Sequence, residues 1–118
     1  SCSDNYSIIK ASINGYFDIV KLLLKDSRVD PSQNSNDSIR YASKNGHTDI
    51  VKLLLNDKRV NPTNNNNYAI QLASSNGNID IVKLLWSDKR VKNTLKNNNS
   101  KLYHELIEQD IKNKVIKF

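Results

Sequence analysis

The chain has 118 residues, of which 37% are hydrophobic and 7% aromatic, and it carries a formal net charge of +6. This length suits one domain, and the lean apolar content favours a thin structure with much surface over a large globular core. The only cysteine, Cys2, excludes an intrachain disulfide and a cysteine-based metal site. No apolar run near the roughly 18 residues of a membrane span and no signal-peptide pattern occurs, so we expect an intracellular protein without a membrane segment.

The first predicted unit covers about residues 4–34 and contains two short helices. Its second helix is predicted from the run Asp18-Ile19-Val20-Lys21-Leu22-Leu23-Leu24, whose apolar residues recur at helical spacing. Gly15 precedes this run and can take a positive φ, so we expect it to end the first helix. Isolated helices below about 12 to 15 residues rarely persist in water, so this pair needs neighbours that cover its apolar faces.

The second unit, about residues 35–65, repeats this pattern. The spacing of its apolar and small residues predicts a first helix over residues 37–44, which Asn36 or Asp37 would cap by accepting a backbone N–H bond. Gly46 then stands where that helix must end.

A second helix is predicted over residues 49–56, with an apolar face too wide for a lone helix to leave in water. Residues 56–67 are predicted to form a long connector, because Pro62 cannot continue a helix and the asparagines that follow favour turns. The third unit, about residues 66–96, has the same pattern, and residues 97–118 are predicted to form a degenerate capping repeat. The cap keeps a helical stripe of apolar residues, namely Leu102, Leu106, Ile107, Ile111 and Val115.

The three units are in phase with a period of 31 residues. The run Asp-Ile-Val-Lys-Leu-Leu starts at Asp18, Asp49 and Asp80, and every glycine follows an asparagine at one register. Other columns at this spacing are Ile8, Ile39 and Ile70; Ala11, Ala42 and Ala73; Arg28, Arg59 and Arg90; and Val29, Val60 and Val91. Such a period predicts an all-α fold, an α-solenoid of stacked helix-turn-helix repeats that forms one array over residues 1–118.

The repeated motif resembles the ankyrin repeat. The stretch from Ser38 to Leu55, SIRYASKNGHTDIVKLLL, is similar to the family's core pattern Pro-Leu-His-x-Ala-Ala-x-x-Gly-His-x-x-Ile-Val-x-x-Leu-Leu. The resemblance covers about residues 4–96 and is highly specific, because it recurs three times in phase. The shortened, asparagine-rich units also resemble the ankyrin arrays that giant DNA viruses of amoebae encode in great number, which implies the host-cell cytoplasm as the location.

The sequence departs from the ankyrin pattern in the same way in every unit. Its period is 31 residues, against about 33 in the family. The family's Thr-Pro helix start is replaced by Tyr6-Ser7, Asp37-Ser38 and Tyr68-Ala69. Other residues also replace the glycine after the second helix. One residue is missing at that point and another in the connector, so we expect no regular β-hairpin at residues 62–67.

No motif for catalysis or metal binding occurs in the sequence. His47 falls at the family's Gly-His position, for which the resemblance implies a structural role, and His104 stands beside Glu105 without a cysteine to share a metal. A nucleophile paired with a base, a phosphate-binding glycine loop and a zinc-ligand spacing are all missing. We therefore expect no enzyme activity, no cofactor and no bound metal.

The resemblance implies that a partner protein contacts the connector tips and the exposed edge of the first helix of each unit. Several of these positions vary between units, so the fold does not dictate the residue there. They are Gln33, Asn34, Asn36, Lys44, Asn45, Asn64, Asn65, Asn67 and Ser75. A solvated, asparagine-rich surface is the alternative interpretation.

The first unit has an apolar and aromatic edge at the matching positions. It is formed by Ile9, Ile13, Tyr16 and Phe17, which stand where the second unit has Arg40, Lys44, His47 and Thr48. Such a patch is either the contact surface for a further repeat upstream or a partner hot spot, in which aromatic side chains are common.

The leading functional hypothesis is a monomeric, non-catalytic scaffold that binds another protein. Columns of lysine and arginine leave weak binding of nucleic acid or an acidic surface as an alternative. Nucleic acid is the less favoured partner, because Asp26, Asp57 and Asp88 recur beside the arginines and can neutralise them. Family analogy adds a third hypothesis, the substrate-recruiting part of a ubiquitin-ligase adaptor.

Overall fold

The computed structural model describes the backbone of residues 2–116, in which eight helices and no strand occur. The side chains at 2–4, 34, 35, 66, 111 and 113–116 lie outside the described set. The helices are α1 (Cys2–Asn14), α2 (Phe17–Leu24), α3 (Gln33–Lys44), α4 (Thr48–Leu55), α5 (Asn64–Ser75), α6 (Ile79–Trp86), α7 (Lys89–Asn98) and α8 (Ser100–Ile116). The all-α prediction is confirmed, and residues 62–67 form a turn and the start of α5.

The helices stack in two layers. The helices α1, α3, α5 and α7 pack on one another in chain order to form the first layer, and α2, α4 and α6 form the second. The chain measures 47 × 27 × 22 Å and has a radius of gyration of 14.6 Å. A compact domain of this length would have about 13.5 Å. The elongated stack is the solenoid that the period predicts.

A column of buried side chains runs through the stack. Ile8, Ile39 and Ile70 are each at most 1% exposed, and Leu54 and Leu85 are fully buried. Buried residues from all three units belong to one cluster. Full burial of such an aliphatic side chain contributes about 1.5 to 3 kcal/mol. This shared column supplies the stability that single helices of eight residues lack.

The tight turn between the two helices of a unit depends on glycine. Gly46 has a φ of 81°, and the N–H of His47 donates to the carbonyl of Ala42 over 3.0 Å. This is the Schellman arrangement that closes the end of a helix. At Gly15 the next unit adds a steric demand, because a Cβ there would lie 2.6 Å from the His47 ring. The prediction that glycine ends the first helices is confirmed at both positions.

The first helices begin earlier than the sequence indicates. The helix α3 starts at Gln33 and α5 at Asn64, within segments predicted to be connectors, and no side-chain hydrogen bond caps either start. The capping prediction for Asn36 is wrong: Asn36 lies inside α3 with a φ of 62°. The predicted start at Asp37 is the point at which right-handed geometry resumes after this residue.

The last helix pair differs because a proline is missing. Pro31 and Pro62 stand two residues before α3 and α5, whereas the equivalent position is occupied by Asn93. Without the proline ring the chain continues as a helix through this position and forms α7. The side chain of Asp88 caps α7 by accepting the N–H of Arg90 over 2.9 Å.

The predicted apolar stripe of the cap lies on α8. Leu102 and Leu106 are partly buried and pack against the core cluster, and Ile107 is half-buried. The side chains of Ile111 and Val115 lie outside the described residues. The helix α8 packs on α7. This last described helix pair begins at Lys89, earlier than the cap expected from residue 97.

Candidate interaction surface

A column of asparagines, one on each first helix, ties that helix to the segment that follows the second helix of the same unit. The Oδ1 atom of Asn5 accepts the N–H of Asp30 over 2.6 Å, and Oδ1 of Asn36 accepts the N–H of Asn61 over 2.9 Å. In the third unit, Nδ2 of Asn67 donates over 2.8 Å to Oγ1 of a threonine in α7. The two later asparagines are only 2% and 1% exposed. The prediction that Asn36 and Asn67 contact a partner is therefore wrong, because their amides are used inside the fold.

Polar side chains of the turns bond to the preceding unit. Nδ2 of Asn45 donates to the carbonyl oxygen of Ile13 over 3.0 Å, and Nε2 of His47 lies 3.0 Å from the same oxygen. Asn78 repeats this contact one unit later, donating to the carbonyl of Lys44 over 3.2 Å. These oxygens belong to the last turn of a helix, where no intrahelical donor remains. Asn45 and His47 thus join neighbouring units.

The arginine column forms a second set of links between units. Arg59 donates two side-chain hydrogen bonds to Asp57, over 3.0 and 2.7 Å. Its guanidinium also donates to the carbonyls of Leu24, over 3.2 Å, and of Val29 in the preceding unit. Its donors are directed at a carboxylate and at backbone oxygens of its own chain, which favours the structural interpretation of this column.

The hydrogen bonds of the arginine column lower the pKa values of the aspartates with which the arginines pair. The side-chain hydrogen bond from Arg59 is the main cause that lowers the pKa of Asp57 below its ordinary value of 3.8, with desolvation acting against it. The arginine two residues later lowers the pKa of Asp88 in the same way. At Asp26, the side-chain hydrogen bond from Arg28 lowers the pKa to about 2. All three carboxylates are therefore ionised partners of the column at neutral pH.

The exposed edge of the first helices carries aromatic and charged side chains. Tyr6 is 65% exposed and Tyr68 is 42% exposed. The guanidinium of Arg40, which forms an ion pair with Asp37, lies over the Tyr68 ring at 5.4 Å from its centroid. Such a cation–π contact orients both groups. We name this edge the first-helix surface and define it by Tyr6, Arg40, Lys44, Tyr68 and Ser75.

The other predicted contact residues fall at two separate places. Lys44, Asn45 and Ser75 are exposed at the ends of α3 and α5. At the starts of these helices Gln33 and Asn65 are exposed and Asn64 is half-buried, whereas the side chain of Asn34 lies outside the described residues. A 12-residue helix separates its two ends by about 16 Å. The set of contact residues predicted from the sequence therefore belongs to two separate surfaces, one at each end of the first helices.

The predicted apolar edge of the first unit is mostly covered. Tyr16 is 54% exposed, but Ile9 is only 7% exposed, and Ile13 and Phe17 are half-buried. The expectation that Ile9 belongs to an accessible patch is wrong, because this residue is buried. Tyr16 is the member of this set that most exposes its side chain.

The apolar residues that the first unit does expose lie on α2. Ile19 is 48% exposed and Leu22 is 70% exposed, whereas Ile50, the equivalent of Ile19, is fully buried. Residue type alone cannot reveal this difference, because both positions carry isoleucine. The signal that could have found it is the register: Ile50 has a preceding unit to cover it within residues 2–116, and Ile19 has none. We name Ile19 and Leu22 the front face.

A stack of helix pairs with one shared apolar column and an exposed edge that varies between units defines a helical repeat scaffold. Comparison with protein-family models matches residues 8–97 to ankyrin repeats, in three copies. The chain therefore belongs to the ankyrin repeat family, as the sequence motif indicates. Searches of the curated proteins and of the solved structures found no match.

Ankyrin repeats are generally protein-interaction modules and are typically non-catalytic. No helix within residues 2–116 is both long enough and apolar enough to span a membrane. Among the side chains that the structure describes, no three His, Cys, Asp or Glu residues form a group that could hold a metal ion.

Proposed function

We propose that this protein binds another protein through its first-helix surface and acts as a monomeric, non-catalytic scaffold. The observation that carries the proposal is the exposure of Tyr6 and Tyr68 on the same layer as Arg40. Tyrosine and arginine are the residue types enriched where interfaces gain most of their binding energy. Neither tyrosine ring belongs to the hydrophobic core, and Tyr68 meets the neighbouring unit through its cation–π contact with Arg40, which leaves much of the ring exposed.

The surface extends toward the turns through further exposed side chains, namely Lys44, Asn45 and Ser75. The connector side, with Gln33, Asn64 and Asn65, forms a second proposed contact. The setting that we propose is the interior of a cell, since Cys2 has no second thiol in the chain for a disulfide bond.

Nucleic-acid binding is the competing use of the positive charge. The arginines of the column are paired with aspartates, so the recurring cations considered for phosphate binding are the exposed Lys21, Lys52 and Lys83. Three phosphate contacts would weaken binding about 40-fold between roughly 50 and 200 mM salt. Binding anchored by aromatic side chains changes little over this range. Salt dependence therefore separates the two functions.

The test is affinity capture of partners from cell lysate at these two salt concentrations. We expect Tyr6→Ala/Tyr68→Ala to reduce the captured partner at least about tenfold, equivalent to roughly 1.4 kcal/mol of binding free energy. The matched control, Ile19→Ala/Leu22→Ala, removes exposed apolar bulk from the front face and should keep the partner. Equal capture by the tyrosine variant and the parent would refute the proposal, as would a loss confined to the control.

A further inference from the structure

A groove of about 490 Å³ lies between α6 and α8. Cavities that bind ligands have about 300 to 1,000 Å³. Its apolar lining consists of Ile79, Val82, Trp86, Leu102 and Leu106. Trp86 is held in place by Tyr103, whose ring centroid is 5.8 Å away, and by Lys92, whose Nζ atom lies 5.0 Å from the ring centroid. The groove thus has a firm aromatic element in its wall.

Equivalent positions in the repeats show that the groove is an incompletely filled junction. Ser12 and Ser43 are fully buried, but Ser74, at the same register in the third unit, is exposed and lines the groove. Val51 is fully buried, and its equivalent Val82 is 9% exposed. The helices α4 and α6 each pack on the preceding second helix, whereas α8 packs on α7. The space that a second helix fills in the earlier junctions is therefore partly open beside α6.

The side chains that fill an earlier junction indicate the shape of a suitable occupant. The helix α4 places Ile50 and Leu54 in the core with no exposed surface, and Leu53 packs against the same cluster. These residues follow the spacing i, i+3, i+4 of one helix face. An amphipathic helix with aliphatic residues at this spacing matches the apolar wall of the groove.

The charge of the groove's rim indicates which charge the flanks of a bound helix should carry. Glu105, Glu108 and Asp110 line the groove on the α8 side, and Lys83 lines it on the α6 side. The exposed carboxylates of Glu105 and Glu108 face one lining ammonium, that of Lys83, so the α8 side of the rim is negative although the chain as a whole carries +6. Lysine or arginine on the flanks of a docked helix would complement this rim.

We propose that the groove between α6 and α8 docks a basic amphipathic helix of a partner protein. Aliphatic side chains of that helix enter beside Val82 and Trp86, and its basic flanks face Glu105 and Glu108. This helix-in-groove mode uses the second layer of the stack, whereas the first-helix surface belongs to the first layer. The two sites can therefore be occupied together, and each can be tested alone.

The probe is a synthetic peptide of about 16 residues, roughly 24 Å long as a helix. It contains leucine at i, i+3 and i+4, lysine on the flanks and alanine elsewhere. Trp86 is the only tryptophan of the protein, so its fluorescence reports directly on the groove. We expect a saturable change in its emission on titration, and the same affinity with Tyr6→Ala/Tyr68→Ala, since that variant leaves the groove intact.

Two pairs of variants test the site. Ser74→Tyr places a ring in the groove and should weaken the Kd of the probe at least about tenfold, whereas Ser75→Tyr adds the same ring at an exposed neighbouring position and should not. Glu105→Gln/Glu108→Gln should weaken the Kd about fivefold at low salt. Its control, Asp18→Asn/Asp49→Asn, changes the net charge equally at exposed positions away from the groove and should bind as the parent does.

Three outcomes would overturn the proposal. The first is an unchanged Kd of the probe for the Ser74→Tyr protein, provided that circular dichroism shows this variant to be folded. If it does not fold, an unchanged Kd for Glu105→Gln/Glu108→Gln has the same meaning. The second is equal affinity for a peptide with glutamate in place of every lysine. The third is self-association of the chain in sedimentation experiments that Leu22→Glu and Ser74→Tyr each abolish, because a second copy would then occupy the groove through its front face.

Discussion

The buried asparagines of the first helices combine two properties in one residue. Asn36 takes a φ of 62°, and its amide oxygen accepts the N–H of Asn61. Asparagine adopts this left-handed conformation more readily than most residues. A buried N–H left without an acceptor costs about 1 to 3 kcal/mol. Asparagine thus meets a backbone requirement and a hydrogen-bonding requirement at one position.

This dual role makes Asn36 a sensitive position. We expect Asn36→Ala to lower the free energy of unfolding by about 2 to 4 kcal/mol, because both the acceptor and the tolerance of positive φ are lost. Asn65→Ala is the control, since Asn65 also has a positive φ, of 54°, but is exposed, so only the backbone effect of about 1 to 2 kcal/mol should remain. Urea unfolding measures both values. An Asn36→Ala protein no less stable than the control would show that the hydrogen bond to Asn61 contributes nothing.

Two neighbouring leucines of α4 differ in the exposed fraction of their side chains. Leu54 has no exposed surface, whereas Leu53 beside it is half-buried. We expect Leu54→Ala to cost about 2 to 5 kcal/mol of unfolding free energy through lost contacts and the cavity left behind. Leu53→Ala should cost about half as much, because water already reaches part of that side chain. Urea midpoints of the two variants test the orientation of α4, and a larger loss for Leu53→Ala would mean that the helix is rotated.

The pairing of aspartate with arginine in the connectors makes the free energy of unfolding sensitive to acid. The side-chain hydrogen bond from Arg59 lowers the pKa of Asp57 in the folded chain below the ordinary 3.8 that the unfolded chain keeps. As the pH falls from about 5 toward 2, the unfolded chain therefore binds protons first, and the stability that this carboxylate contributes is lost. It is fully present above about pH 5.

We expect the free energy of unfolding to decrease over that range, and to decrease less steeply in Asp57→Asn. Urea midpoints measured from pH 6 to 2 at low salt check this, because salt screens partly exposed pairs. Asp18→Asn removes an exposed carboxylate for which no arginine stands two residues later and should keep the slope of the parent. Identical profiles for all three proteins would exclude the Asp57–Arg59 pair as a source of acid sensitivity.

The elements were largely predictable because their signals are local and repeated. A glycine such as Gly46 marks a helix end within a few residues, and the apolar spacing marks the buried face. The start of α3 was not predictable in the same way, since the turn before Asp37 depends on Asn36 bonding to Asn61, 25 residues later in the chain. The helix α7 could have been found from Asn93, which replaces the proline of the earlier units.

The candidate surface was predictable only in part, because exposure depends on neighbouring units. Asparagine is usually a surface residue, which made Asn36 and Asn67 plausible contacts, yet the stack buries both. The sequence showed Tyr6 and Tyr68 as departures from the family's helix start, but not that the stack leaves their rings exposed. A residue's environment in a solenoid is set by the units on either side of it.

At the scale of the whole stack, the first and last units that the structure describes within residues 2–116 are unlike. The first unit exposes Ile19 and Leu22, whereas the last second-layer helix, α6, is partly covered by the cap. Since each unit contacts only its neighbours, the stability contributed by a given position should depend on where its unit stands in the array. This dependence distinguishes a stack from a globular domain with one central core.

The same repeat position carries isoleucine in all three units, which allows a direct test of this dependence. Ile19 is 48% exposed, Ile50 is fully buried and Ile81 is 1% exposed. We expect Ile50→Ala and Ile81→Ala each to lower the free energy of unfolding by about 2 to 5 kcal/mol, and Ile19→Ala to lower it by less than about 1 kcal/mol. The three variants make the same chemical change on equivalent helices, so differences in helix propensity cancel. Urea unfolding of the three proteins is the measurement. Equal losses at all three positions would mean that α2 is covered as α4 and α6 are, and would remove the asymmetry of the stack and the front face with it.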